Sequence, residues 1–178
     1  MNSLNQKLTN AMNKTLRFSK VRDVKSPERG TTGSAGIDFF VPNDLDEIVV
    51  RPHCDVLIPS GIKADIPNGF MLIGENKSGV VTSSMAAIEL GRTPKKGAYL
   101  CSPIVGANVV DEDYQGEIHI HLINTGIVPI VIKPGTKIIQ FILVPVEYCA
   151  IEEVPEDELF PEITERCEGG FGSTNKNE

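Results

Sequence analysis

The last thirteen residues, RCEGGFGSTNKNE at 166–178, hold the densest set of groups able to do chemistry. Glycine amides and the hydroxyls of Ser173 and Thr174 can wrap phosphate oxygens, and Arg166 supplies the opposing charge. Phe171 offers a flat apolar face for a base. A terminus of this composition ordinarily frays. The pairing of an arginine with GGFGST favours instead a segment that orders over a nucleotide. Four internal stretches add to it. GSAGIDFF at 33–40 is a small-residue turn that delivers a carboxylate, Asp38, into the start of a strand. NKSG at 76–79 joins a cation (Lys77), a hydroxyl (Ser78) and a glycine amide (Gly79), the parts of a phosphate cradle. GANVVDEDYQGE at 106–117 has the pattern of a hairpin: turn residues, two β-branched residues, then three acids and a tyrosine. PGTKIIQF at 134–141 is a turn feeding a strand that carries Gln140. Taken singly, each reads equally well as an ordinary Gly/Pro turn.

The elements that must position these groups are strands. DEIVVRP, DVLIPSGIKADIP, GFMLIGE, GEIHIHLIN, IVPIVIKPG and KIIQFILVPVEY are short apolar, β-branched runs separated by Pro, Gly, Asn and Asp. In GEIHIHLIN, Ile118, Ile120 and Leu122 fall on one face, and Glu117, His119 and His121 on the other. IIQFILVPV is nearly continuous and predicts a strand buried on both faces. Short strands at this spacing mean an all-β sandwich or barrel. VTSSMAAIELG breaks the pattern, and its residues 85–90 are the best candidate for a short helix. Residues 151–165 carry seven acids, two prolines and no basic residue, the composition of a solvated linker. Residues 1–15 are polar and expected to be flexible.

Composition sets the outer bounds. A chain of 178 residues supports one domain with a proper core. Its 17 basic and 24 acidic residues leave 17 − 24 = −7, which disfavours nonspecific binding to nucleic acid or an anionic membrane. No apolar run approaches the roughly 20 residues of a membrane span, and the start lacks the apolar stretch of a secretory signal. Cys54, Cys101, Cys149 and Cys167 have no metal-ligand spacing and read as reduced thiols in a cytoplasmic compartment. His119 and His121 share a strand face without a third ligand, so they read as solvent-facing strand histidines.

In this order, the five stretches resemble the motifs of the trimeric dUTPase family, with VVDEDYQGE and RCEGGFGST the most specific matches. The resemblance implies a jelly-roll-like distorted β-barrel, assembled as a homotrimer with sites between subunits. It implies hydrolysis of dUTP to dUMP and pyrophosphate, which limits uracil in DNA and supplies dUMP for thymidylate synthesis. Mg2+ would be held by the triphosphate and water, not directly by protein groups. Position by position, Asp111 matches the carboxylate that activates the attacking water. Gly106, Ala107, Asn108 and Val109 match the hairpin that reads uracil through its backbone, and Tyr114 the ring that packs on deoxyribose. Lys77, Ser78, Gly79 and Gln140 match the groups that hold phosphate or the water, with Asp38 in support. Arg166, Phe171, Gly172, Ser173 and Thr174 match the closing lid, Phe171 lying over the base. The expected layout is a flexible segment at 1–15, a barrel at 16–150 with an insertion near 80–103, an acidic linker at 151–165 and a lid at 166–178.

Three departures from the family pattern stand out. Lys77 replaces the usual arginine, keeping the charge and losing the planar fork. Cys167 and Asn175 stand where small residues are common. The 80–103 stretch, with Arg92, Lys95 and Lys96, is longer than usual and reads as a surface insertion, with an unknown protein partner as the alternative. Two other functions stay open: a dCTP deaminase of the same fold, and a nucleotide-binding protein that acts on a regulatory partner.

Overall fold

The structure is a computed structural model that describes residues 15–82, 103–165 and 167–168. The candidate helix at 85–90, nearly all of the 80–103 insertion and the N-terminal 1–14 therefore lie outside the described residues. The chain divides into two compact units, Met1–Glu147 and Tyr148–Glu178.

The first unit is built from β1 (Arg17–Lys20), β2 (Glu28–Arg29), β3 (Ile37–Phe40), β4 (Ile48–Val50), β5 (Asp55–Pro59), β6 (Ile62–Asp65) and β7 (Phe70–Asn76). A single helical turn, α1 (Ser78–Thr82), follows, then β8 (Pro103–Val105), β9 (Val109–Val110), β10 (His119–Asn124), β11 (Ile130–Ile132) and β12 (Lys137–Pro145). Each of the six apolar runs singled out in the sequence overlaps at least one of these strands. All pairs are antiparallel, in sheets ordered β2-β3-β12-β7-β9, β5-β10-β8, β1-β6 and β4-β11.

Local sequence explains the strands best where one face is buried. Along β10, Ile120, Leu122 and Asn124 are buried and alternate with the more exposed His119, His121 and Ile123. Asn124 belongs inside because its amide donates to the carbonyls of Val50 (3.0 Å) and Val128 (2.8 Å), while its Oδ1 accepts from Gly126 N–H (2.9 Å).

The central strand β12 differs from the sequence expectation. Ile138 and Ile139 are both buried although adjacent, because the register against β3 slips between Lys137 and Ile139. Such a bulge sets two residues opposite one. Phe141 then packs on Phe39 with ring centroids 4.7 Å apart, a pairing worth about 0.5–1.5 kcal/mol beyond area burial. From Ile142 to Val144 the strand is only half-buried. There β12 has run past its last β3 partner, Ile37, and pairs with β7 alone. Continuous hydrophobicity thus marks a doubly covered strand only as far as Phe141.

In the second unit the described residues form no strand, and a 3-10 turn at Glu156–Glu158 is their one regular element. Between residues 148 and 165 every side chain is exposed except Val154. None of the described helices is long and apolar enough to cross a membrane.

Candidate active site

The DEDY stretch is a tight turn: the Tyr114 N–H donates to the Asp111 carbonyl at 3.2 Å. Asp111 is exposed at its start. The Tyr114 hydroxyl donates to the Glu117 carbonyl at 3.0 Å, which pins the ring across the turn while 44% of the residue stays exposed. Leading into the turn, residues 106–110 fold back on β7. Gly74 N–H donates to Asn108 C=O at 2.7 Å, and the Asn108 side-chain amide donates to Gly74 C=O at 2.8 Å.

Hairpin and turn enclose a cavity of about 300 Å³, lined by Ala107, Val109, Val110, Asp111, Tyr114, Ile118, His119 and Leu57. That lies at the small end of ligand pockets. Four of the residues assigned from sequence, Ala107, Val109, Asp111 and Tyr114, thus share one wall of space. A larger cavity of about 550 Å³ spans β1, β6 and Glu112, Tyr114 and Gln115, and contains no other assigned residue. Chemistry selects the smaller one.

Leu57 and His119 join the pocket without having been assigned to it. Leu57 arrives because β5 pairs with β10 in the register His121↔Leu57, a juxtaposition 64 residues apart in sequence that no local pattern carries. His121 corrects an expectation. It is not a solvent-facing strand histidine: its side chain is 21% exposed and fully engaged. Nδ1 accepts from the Ala107 N–H at 2.8 Å, and Nε2 lies 2.9 Å from Asp55 Oδ2. The hydrogen bond from His121, more than any other contact, holds the Asp55 carboxyl below its usual range.

A second group forms where β3, β12 and β7 lie side by side. Asp38 on β3 is buried, and its register partner on β12 is Gln140. Lys77 at the end of β7 donates to Asp38 Oδ1, and Lys137 donates to Oδ2 at 2.9 Å. Burial alone pushes Asp38 up. The hydrogen bonds from Lys77 and Lys137, followed by their charges, outweigh it and hold the carboxyl below the usual range. Lys137 is raised in turn, chiefly by the hydrogen bond to Asp38. Gln140 donates to the Asn76 carbonyl at 3.1 Å. Gly36 lets it do so: a Cβ there would sit 2.1 Å from Gln140 Oε1. Ser78 and Gly79 follow directly in the first turn of α1, where Val80 N–H donates to Lys77 C=O at 2.9 Å. Lys77, Ser78, Gly79, Gln140 and Asp38 therefore form a second cluster, carried by β3, β12 and the passage from β7 into α1. Arg166, Phe171, Gly172, Ser173 and Thr174 lie outside the described residues.

Fold and site define the class: an antiparallel β-barrel protein with a carboxylate beside a small, largely apolar pocket. Comparison with known proteins makes the class specific. The dUTPase family model matches residues 76–175. The deoxyuridine 5'-triphosphate nucleotidohydrolase of Hydrogenobaculum sp. (strain Y04AAS1) is 35% identical over 160 residues, covering 89% of this chain and 96% of that protein. The enzyme of the same name from Clostridium kluyveri is 36% identical over 145 residues, 80% of this chain and 84% of that one. Among solved structures, a Staphylococcus bacteriophage 80alpha dUTPase mutant with dUpNHpp superposes with a TM-score of 0.69 at 20% identity, covering 90% of this chain and 98% of that chain. A phage phi11 dUTPase mutant, described with a coordinated structural Mg(II) ion, gives 0.63 at 19% identity, covering 80% and 97%. The chain belongs to the dUTPase family.

Proposed function

We propose that this chain hydrolyses dUTP to dUMP and pyrophosphate, and so limits uracil in DNA while supplying dUMP. The observation that carries the proposal is the shared cavity of Asp111, Tyr114, Ala107 and Val109 in a chain of this family.

In this reading the 106–109 hairpin holds uracil. The N–H groups of Gly106 and Ala107 are already engaged by His121, so base recognition falls to other backbone groups, among them the Asn108 N–H and the Ala107 C=O. The ring of Tyr114 packs on deoxyribose and leaves no room for a 2′-hydroxyl. Asp111, at the pocket mouth, orients a water for in-line attack on the α-phosphorus and accepts its proton. Lys77, Ser78, Gly79 and Gln140 hold phosphate oxygens or the water, with Asp38 fixing Lys77. Arg166, Phe171, Gly172, Ser173 and Thr174 close over the nucleotide as a lid beyond the acidic 151–165 linker, and the barrel spans 16–150.

Among the described residues, no three of His, Cys, Asp and Glu group as metal ligands. In this reading Mg2+ takes its oxygens from the triphosphate and water, where it offsets phosphate charge. Val109 and Tyr114 are 55% and 44% exposed, and a homotrimer with sites between subunits, working in the cytoplasm, would cover them.

The test is a panel of dUTP, dCTP, dTTP and UTP with Mg2+, scored for pyrophosphate and ammonia. Pyrophosphate from dUTP, with UTP poorly used, is the expected result. Ammonia from dCTP overturns it.

A further inference from the structure

His121 touches the nucleoside hairpin at three points, once through its backbone carbonyl and twice through its imidazole. Gly106 N–H donates to the His121 carbonyl at 2.9 Å, and Ala107 N–H to Nδ1 at 2.8 Å. The Gly106 backbone lies against the ring itself, so close that an added Cβ would fall 2.2 Å from Nδ1, 2.6 Å from Cε1 and 2.9 Å from Cγ. Only glycine fits there. On the far side of the ring, Nε2 lies 2.9 Å from Asp55 Oδ2.

These contacts specify a protonation state. Nδ1 accepts from an amide, so it carries no hydrogen, and the neutral ring must bear its proton on Nε2 and donate it to Asp55. The peptide joining Gly106 to Ala107 is planar and trans, so fixing its N–H toward His121 fixes the Gly106 carbonyl pointing the opposite way. A single side chain thereby sets the plane of a peptide at the wall of the pocket. Protonation of Nδ1 would bring two N–H groups face to face at 2.8 Å and break that bond. Among the described residues, the titratable groups facing this ring from its neighbouring elements are few. Asp55 comes from β5 and His119 from two residues along β10, and neither β8 nor the 106–110 hairpin contains one.

We propose that His121, oriented by Asp55, is a positioning residue for base recognition: in its neutral form it fixes the Gly106–Ala107 peptide, and through it the adjoining Ala107–Asn108 peptide that reads uracil, and protonation releases it. This rests on the assignment of 106–109 as the uracil-reading hairpin.

The test uses the full chain in two arms. In the first, 15N NMR of the free protein follows the His121 ring and the Ala107 amide from about pH 8 to about pH 5.5. An Nε2–H tautomer at high pH, with both signals titrating together, is expected. An Nδ1–H tautomer, or an Ala107 amide that ignores the ring, overturns the brace. In the second, the Kd of a nonhydrolysable dUTP analogue is measured for wild type, His121→Ala and His121→Asn. Loss of one neutral hydrogen bond should weaken binding of His121→Ala about 2- to 10-fold at high pH. His121→Asn places an acceptor near the Nδ1 position that cannot be protonated, so it should recover most of that affinity and lose the wild-type weakening in acid. The ratio of wild type to His121→Asn cancels titration of the ligand's own phosphates. If that ratio does not change with pH while dUTP is turned over normally, the brace fails and the site assignment stands. If the ring and amide titrate together but no uracil nucleotide binds, the site assignment fails, and the coupling to nucleotide with it.

Discussion

Lys77 donates to Oδ1 of Asp38, a residue 39 positions earlier in the chain, so the side chain proposed to bind phosphate is itself gripped by a buried carboxylate. Lys137 takes the other oxygen at 2.9 Å. An ammonium has three donors, and anchoring one of them fixes the direction of the rest. The usual arginine at this place would present a rigid fork. Here a flexible lysine gains direction from an anion beneath it instead, and that lowers the ordering entropy left for the ligand to offset.

Lys77→Ala should therefore lower kcat by about 10²- to 10³-fold, the usual effect of losing one placed donor to charge that builds in the transition state. Lys77→Arg keeps a cation over Asp38 and should stay within about tenfold of wild type. Steady-state kinetics with dUTP, alongside a thermal midpoint for each variant, separates catalysis from folding. A Lys77→Ala enzyme with wild-type kcat would place phosphate recognition elsewhere, with Arg166 the first residue to examine.

Asp38→Asn removes the charge and keeps the shape. Its folded-state value is depressed, so its contribution to stability is complete above the unfolded value near 4 and is lost as pH falls through the lower folded value. Lys137 is raised, so its contribution is complete below about 10.4 and is lost as pH rises through the folded value. The gap between wild type and Asp38→Asn should be widest between these limits, roughly 1–3 kcal/mol by the worth of hydrogen bonds to charged groups. It should close toward both extremes. Urea unfolding across a pH series measures it. A gap independent of pH would mean that Asp38 acts through packing and not through its ion pairs.

Gly36→Ala should act through Gln140. The new Cβ would stand 2.1 Å from Oε1, 2.8 Å from Cδ and 3.1 Å from Cβ of that side chain. The crowding extends to Cβ, so moving the amide end alone does not relieve it. Gln140 must turn away and lose its 3.1 Å hydrogen bond to Asn76. Overpacking of this kind costs about 1–3 kcal/mol, and kcat/KM should fall by an order of magnitude or so. The double variant with Gln140→Ala decides the route. If Gly36 matters because of Gln140, the two losses overlap and the double variant loses less than their sum. Strict additivity would show that Gly36 acts independently.

Legibility from sequence followed the range of the interaction. The alternation of β10 is local, so its buried and exposed faces could be read directly from GEIHIHLIN. The turn carrying Asp111 and Tyr114 was equally legible, because turn chemistry is written in adjacent residues, whereas the expected hairpin was not: β9 pairs with β7 instead. Long-range pairing was not. Leu57 enters the pocket through the β5–β10 register, and Lys77 reaches Asp38 only because β7 and β3 flank β12. The run IIQFILVPV hid the bulge that buries Ile138 beside Ile139, and gave no sign that β12 outruns β3. His121 was misjudged for a related reason. Strand periodicity set its face correctly, but what covers that face is the Gly106–Ala107 backbone, brought there by folding.

The last prediction joins the base to the tail. Asp111→Asn keeps shape and hydrogen bonding while removing the proton acceptor, and should lower kcat by about 10²- to 10⁴-fold with dUTP binding retained. A chain lacking residues 166–178 should be similarly impaired, through loss of the proposed lid. The acidic stretch at 151–165 could span up to about 50 Å at roughly 3.3 Å per residue, long enough to serve a neighbouring subunit. In a trimer of that kind, a truncated subunit still contributes a sound Asp111 pocket, and an Asp111→Asn subunit still contributes a sound tail. Each parent homotrimer should be nearly inactive. Co-expressed, differentially tagged mixed trimers should regain part of the wild-type rate, because some pockets then combine a working base with a working tail. If each tail serves its own subunit, no mixture can combine the two. Verified mixed trimers with no activity above either parent would therefore rule out a lid acting between subunits, and a protein that does not assemble as a trimer at all would remove the basis for one.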